Sequence, residues 1–177
     1  DALPIYGVLT IPEFRDGRSF APLSLEGFQI YPEAGPALAR LKERGFILTV
    51  VTNQPEVGTG RLPPDVLKDM HRRLAAALPV DAIKICPHTS AQNCRCRKPL
   101  PGLLLEAARE FNIDLAGSYM IGDRAGDIVA GHAAGCRSIF VDLGYTAEAP
   151  PRQPNAVVGS LREAVDWILA NEGSVEE

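Results

Sequence analysis

Long apolar runs are missing from this 177-residue chain. None approaches the roughly 18 residues of a membrane span, so no membrane role is expected. Positive charge is also short. The net charge is −4, which gives no support to a nucleic-acid partner, although a local basic pocket for a small anion stays open. The N-terminus lacks the basic segment and apolar stretch of a secretory signal. Repeats and low-complexity segments are absent. What remains is ordinary for a soluble globular protein, with 46% apolar and 23% charged residues and a length that fits one domain, residues 1–177. Cysteines number four, and three of them sit together as Cys86, Cys94 and Cys96 around His88. That clustering suits thiolate chemistry in a reducing compartment better than a disulfide framework, and predicts a cytoplasmic protein.

Short apolar runs alternate with stretches of helical period. Ile5 to Ile11 reads as a first strand and Phe46 to Val51 as a second, continuous enough to be buried in a parallel sheet. Between them, Gly35 to Arg44 reads as a helix with Leu38 and Leu41 inward, stopped by Gly45. Val66, Met70, Leu74 and Ala77 mark one face of a helix after Pro63-Pro64. Ala82 to Ile85 predicts a strand, Gly102 to Phe111 a helix, Ser118 to Ile121 a strand, Ile128 to Ala134 a helix and Arg137 to Val141 a strand. Ala149 to Pro154 is a proline-rich loop, Ala156 to Val158 a small strand, and Ser160-Leu-Arg-Glu163 a capping box opening a last helix. The tail from about 172 to 177 is expected to fray. The alternation predicts an α/β fold, a doubly wound Rossmann-like, mostly parallel sheet with helices on both faces.

Ligands of such sheets bind beyond the carboxyl ends of the strands. The groups standing there are Thr52-Asn53-Gln54, Arg97-Lys98 and Asp123-Arg124. Lys98 and Arg97 offer the concentrated positive charge a phosphoryl group needs, and Thr52 with the following amides can hold its oxygens. Asp123 can offer a carboxylate to a hard cation such as magnesium, and Asp127, one turn on, can orient Lys98 or a metal-bound water. The plainer reading of the two aspartates is a helix cap and a solvated charge. Cys86, His88, Cys94 and Cys96 form a closed donor set of the kind that holds structural zinc in a loop of about 86–98. Cys136 reads as a small core residue and Trp167 as a packing residue, and nothing recruits His71 or His132 to chemistry.

In order, Val51-Thr-Asn-Gln54, Cys86-Pro-His88, Cys94-Arg-Cys-Arg-Lys-Pro99, Pro101-Gly-Leu103, Met120-Ile-Gly-Asp-Arg124 with Asp127, Ala130-Gly131 and Ala134-Gly-Cys136 cover nearly the whole chain. They resemble subfamily III of the haloacid dehalogenase superfamily, of the heptose 1,7-bisphosphate 7-phosphatase type, related to histidinol-phosphate phosphatases. The resemblance implies a Rossmann-like core with no large cap domain, the zinc loop and its neighbours partly covering the site. It implies phosphoryl binding by Thr52 and Lys98, magnesium at Asp123, the substrate's remaining phosphate or hydroxyls at Arg97, and Asn53 and Gln54 at the same mouth, with Arg124 and Asp127 in support.

The family's first strand ends in Asp-x-Asp-Gly-Val-Leu. Here Gly7-Val8-Leu9 is present, but Pro4 and Tyr6 stand where the nucleophile and the general acid/base belong. Proline has no nucleophilic side chain, and a tyrosine of ordinary pKa near 10 is a poor acid/base at neutral pH. Neither Asp1 nor Asp16 is a clear replacement. Two readings follow from the resemblance. One is a phosphatase acting on a phosphorylated sugar and impaired or inactive as written, with magnesium weakly held. The other is a non-catalytic pseudophosphatase, a phosphate-binding or regulatory module with a protein partner. A monomer is expected in either case.

Overall fold

The computed structural model describes residues 2–3 and 7–172. Asp1, Pro4, Tyr6 and the expected fraying tail beyond Glu172 lie outside the described residues. Six parallel strands make one sheet in the order β5-β4-β1-β6-β7-β8, from β1 (Ala2–Leu3), β4 (Thr49–Asn53), β5 (Ala82–Cys86), β6 (Tyr119–Gly122), β7 (Arg137–Val141) and β8 (Ala156–Val158). A separate two-stranded hairpin is made by β2 (Glu13–Arg15) and β3 (Arg18–Phe20). The helices are α1 (Ala34–Glu43), a single turn α2 (Pro55–Gly58), α3 (Pro64–Ala77), α4 (Gly102–Phe111), α5 (Ala125–Ala134) and α6 (Leu161–Glu172).

The alternation of side chains along a strand divides the interior in two. Val50 and Ile121 enter one cluster with Leu38 and Leu41 of α1, Met70 and Leu74 of α3, and Val165 and Ile168 of α6. Their neighbours Val51 and Met120 enter the other, with Leu103 and Leu104 of α4 and Ala130 of α5. Helices therefore cover both faces, as a doubly wound sheet requires. The strands are added outward in opposite directions on the two sides of β1, first β4 and β5 and then β6, β7 and β8, so the crevice past the ends of β4, β1 and β6 is a switch point where ligands are expected. Gly45 does stop α1, at φ 84°, with its N–H donating to the Lys42 carbonyl at 2.9 Å and that of Phe46 to Leu41 at 3.1 Å.

Some expectations move. The expected first strand over Ile5 to Ile11 is not seen among its described residues. Gly7 to Leu9 form a turn with Gly7 at φ 89°, and the sheet strand lies earlier, paired as Ala2 with Thr49 and Leu3 with Val50. β4 starts three residues later than the apolar run and continues to Asn53, which carries Thr52 and Asn53 on the strand itself. α5 begins at Ala125 rather than Ile128, because Asp127 accepts the Arg124 N–H at 3.1 Å and caps an earlier first turn. The hairpin and the short α2 were not anticipated. The hairpin turns on Asp16 and Gly17, both at positive φ (50° and 73°), the conformation for which Asp-Gly is favoured in two-residue hairpins.

Candidate phosphate pocket and thiol cluster

Beyond the strand ends lies a cavity of about 560 Å³. Thr52 and Asn53 from β4, Arg97 and Lys98 from the loop before α4, and Asp123, Arg124 and Asp127 from the β6–α5 junction all line it. The volume falls in the range of roughly 300–1,000 Å³ typical of small-molecule sites. Each side chain is held by a specific contact. Asn53 donates to the Lys98 carbonyl at 3.0 Å and accepts the Lys98 N–H at 3.1 Å, fastening the end of β4 to the loop. Lys98 is 9% exposed, and its ammonium meets Asp127 Oδ1 at 2.7 Å and donates to the Val51 carbonyl at 3.0 Å. Asp127 therefore orients Lys98. It approaches β6 because Gly122 has no side chain: a Cβ there would collide with Asp127. Both aspartates are buried, Asp123 2% and Asp127 3% exposed, so the reading as a solvated helix charge does not hold.

Not every anticipated residue reaches the cavity. Gln54 is fully buried beneath it, its backbone N–H donating to the Cys86 carbonyl at 2.7 Å and its side chain to Thr52 Oγ1 at 3.3 Å. It supports Thr52 instead of lining the mouth. Other residues were missed. Arg15, Arg18, Ser19 and Phe20 of the hairpin, Arg61, and Glu148 also line the cavity. Arg124 holds the hairpin over it, donating to the Ser19 carbonyl at 2.7 Å and Ser19 Oγ at 2.6 Å while pairing with Glu148 at 2.6 Å. Tyr145, past β7, donates to Asp123 Oδ2 at 2.6 Å. The Asp-Gly pair flanked by Arg15 and Arg18 was the signal for the hairpin. Tyr145 and Glu148 carry no comparable signal.

Burial, and then the charge of Asp127, push the Asp123 carboxyl up to about 7, against the pull of the Tyr145 hydrogen bond and of Arg124 and Lys98. Magnesium asks for a near-octahedral set of oxygens. Among the described residues Asp123 brings one carboxylate, with one oxygen already accepting from Tyr145, while Asp127 is committed to Lys98 and the Arg124 N–H. This donor set does not fit a firmly held magnesium.

The thiol cluster lies beside the cavity. Cys86 ends β5, and the donor atoms of Cys86, His88, Cys94 and Cys96 all lie within 4.8 Å of one another. The sulfur separations are 2.9 Å for Cys86–Cys96 and 3.5 Å for each of the other two pairs, and His88 Nδ1 stands 3.2 Å from Cys96 Sγ. Bonds of about 2.3 Å at tetrahedral angles would space the sulfurs at roughly 3.8 Å, a small expansion of this cluster. Burial first, then hydrogen bonds and charge from Cys86 and Cys94, push Cys96 up to about 12. Three thiols at this spacing cannot all ionise without a cation among them, so the donor set fits a soft metal ion. Arg97 donates to the His88 carbonyl at 3.0 Å, linking the loop to the cavity wall. Cys136 is separate, 5% exposed and pushed up to about 11 by burial, as an inert core thiol should be. Trp167 packs edge-on against Tyr119, their ring centroids 6.2 Å apart. Among the described residues no helix is long and apolar enough to cross a membrane.

The model of the HAD-hydrolase-like family matches residues 95–164, from the cysteine loop through α5 into α6. A D-glycero-beta-D-manno-heptose-1,7-bisphosphate 7-phosphatase from Yersinia pestis is 33% identical over 157 residues, covering 82% of this chain and 79% of the relative. The Pseudomonas aeruginosa protein of the same name is 36% identical over 118 residues, 64% of this chain and 66% of its own length. Among solved structures, D,D-heptose 1,7-bisphosphate phosphatase from B. bronchiseptica, complexed with magnesium and phosphate, superposes with a TM-score of 0.81 at 30% identity. That match covers 96% of this chain and 97% of the other. The chain belongs to the heptose 1,7-bisphosphate 7-phosphatase family of HAD-like proteins.

Proposed function

We propose that this protein binds a phosphorylated sugar at the strand-end cavity and turns it over little or not at all by the aspartyl-phosphate route. The observation that carries the reading is Lys98, a nearly buried ammonium aimed at the cavity and fixed there by Asp127 and the Val51 carbonyl. A point charge held this way is preorganised for a phosphoryl group, with Thr52 Oγ1 beside it to hold an oxygen. Arg97 takes the ligand's second phosphate or its hydroxyls, and Asn53 sets the Lys98 backbone rather than touching ligand. Magnesium, which the resemblance assigns to Asp123, gains at most a weak hold. Zinc is the metal we assign to Cys86, His88, Cys94 and Cys96. A closed set of four such ligands leaves no open position for chemistry and organises the loop that presents Arg97 and Lys98.

The route itself needs a carboxylate to attack phosphorus and a second acid to protonate the leaving oxygen. Pro4 supplies neither group, and Tyr6 is a poor acid at neutral pH. Loss of a covalent nucleophile from a comparable catalytic unit costs on the order of 10⁶ in turnover. Titration with phosphorylated sugars is expected to show binding that weakens at least tenfold in Lys98→Ala, with hydrolysis measurable only in a Pro4→Asp/Tyr6→Asp variant. Turnover of the unaltered chain in the usual range of roughly 1–10³ per second would sink the proposal. So would equal binding by Lys98→Ala.

A further inference from the structure

Tyr145 joins three parts of the pocket. Its hydroxyl donates to Asp123 Oδ2 at 2.6 Å, and its ring stacks on Phe14 of the hairpin at a centroid distance of 5.9 Å and an interplanar angle of 22°. The following residues fasten the hairpin as well, because the Thr146 and Ala147 N–H groups both donate to the Gly17 carbonyl, at 3.2 and 3.1 Å. With the ring stacked on Phe14 and the hydroxyl donating to Asp123, the phenol's proton is directed at the carboxylate. The Gly7 backbone closes the opposite side. A Cβ at Gly7 would collide with Asp123 Oδ2 and come within 2.9 Å of the Tyr145 oxygen.

A hydrogen-bond donor and a cation compete for the same carboxylate oxygen. The sequence around Asp123 resembles a magnesium site, yet the position beside Oδ2 is filled by a proton donor that belongs to the chain. Of the other cavity carboxylates, Asp127 is committed to Lys98 and Glu148 to Arg124, and Glu56 stands on α2, away from the β6–α5 junction that carries Asp123. Positive charge for an anion is abundant without a metal, since Arg18, Arg61, Arg97, Lys98 and Arg124 all line the cavity. We infer that Tyr145 is a positioning residue that holds Asp123 in place of a divalent cation, so that the pocket takes its phosphate independently of magnesium. The clause about phosphate rests on the function proposed above, and the clause about Asp123 does not.

Zinc-loaded protein titrated with manganous ion, as a paramagnetic stand-in for magnesium, tests the inference directly. Manganese is expected to bind the unaltered chain no tighter than about 1 mM, the range of weak oxygen sites. Tyr145→Phe keeps the ring on Phe14 and removes only the donor. Since a hydrogen bond to a charged group must otherwise be broken, the variant should bind manganese about tenfold tighter or more, and Asp123→Asn added to it should abolish the gain. A companion titration with inorganic phosphate should give the unaltered chain the same affinity with and without about 0.1 mM magnesium, which leaves a millimolar site mostly empty, and give Tyr145→Phe an affinity that rises with magnesium. Tight manganese binding by the unaltered chain that is lost in Asp123→Asn overturns the inference. No gain in Tyr145→Phe overturns it equally. Absence of any phosphate binding would instead defeat the pocket reading, while the manganese comparison still decides the role of Tyr145.

Discussion

Replacing Lys98 by Met should be among the most damaging single changes to stability, although Lys98 lies in a loop at the rim of a cavity. Its ammonium is 2.7 Å from Asp127 Oδ1, with the two side chains only 7% and 5% exposed. At that separation the gross attraction is about 6 kcal/mol with an effective dielectric of roughly 20, and desolvation of both ions cancels much of it. Removing one partner is different, because the buried carboxylate remains. Such breakage costs about 3–5 kcal/mol. Asp127 keeps the Arg124 N–H and its place in the first turn of α5, both of which favour negative charge, so the lower end, about 3 kcal/mol, is expected. In a domain of this size that corresponds to a fall in Tm of roughly 6–12 °C. Urea unfolding of the unaltered chain, Lys98→Met, Asp127→Asn and the double variant would measure it. The double variant should cost clearly less than the two single losses combined, with a coupling of about 2 kcal/mol. Additive losses, or a Lys98→Met loss below about 1 kcal/mol, would show that the pair is solvated and that the phosphate reading has lost its anchor.

Three further outcomes follow from the same contacts. Cys94→Ser should release the metal and loosen residues 86–98 to proteolysis while the sheet keeps its cooperative unfolding, as metal analysis and limited digestion can show. Gly122→Ala forces Asp127 off β6, and should both destabilise the chain by about 1–3 kcal/mol in urea and weaken phosphate binding together. Asp81→Asn bears on pH. Burial raises the Asp81 carboxyl, but the Leu48 N–H at 2.7 Å and the Lys42 ammonium outweigh it and hold it below its usual 3.8. A lowered folded-state pKa gives stability that is present above the unfolded value and lost as pH falls through the folded one. The variant should therefore lose about 1 kcal/mol near pH 7, and its unfolding curve should converge with that of the unaltered chain as the pH falls below 3.8.

The parts of this fold that the sequence announced are those where burial sets the pattern. β7 is bounded by Arg137 and Val141, as the apolar run predicts, because it lies between β6 and β8 with four of its five residues buried. β8, though partly exposed, also falls at Ala156 to Val158 because it follows a proline-rich loop. The hairpin escaped because its strands are three residues each and β2 is exposed throughout, leaving no apolar alternation to read. Its Asp16-Gly17 turn was visible, but a turn signal without a buried face did not suggest a strand pair. The turn at Gly7 was concealed for the opposite reason. Val8 and Leu9 are buried at 1% and 0%, so the stretch looks apolar enough for a strand while its backbone is already turning.

Within the site, residue type and position at strand ends singled out Thr52, Lys98, Asp123 and Asp127, and even the pairing of Asp127 with Lys98. What could not be read was which groups would be consumed by one another. Asn53 looked like a ligand contact and is spent on Lys98, 45 residues away. Arg124, expected in support of the site, is spent on Ser19 and Glu148. These couplings bear on what holds the pocket together. Lys98 is held by Val51 and Asp127, Thr52 is backed by Gln54, Asp123 is held by Tyr145, and Arg124 is held by the hairpin. In buried networks the cost of a change falls on the groups left without a partner. Each of these four groups has its partner among the described residues.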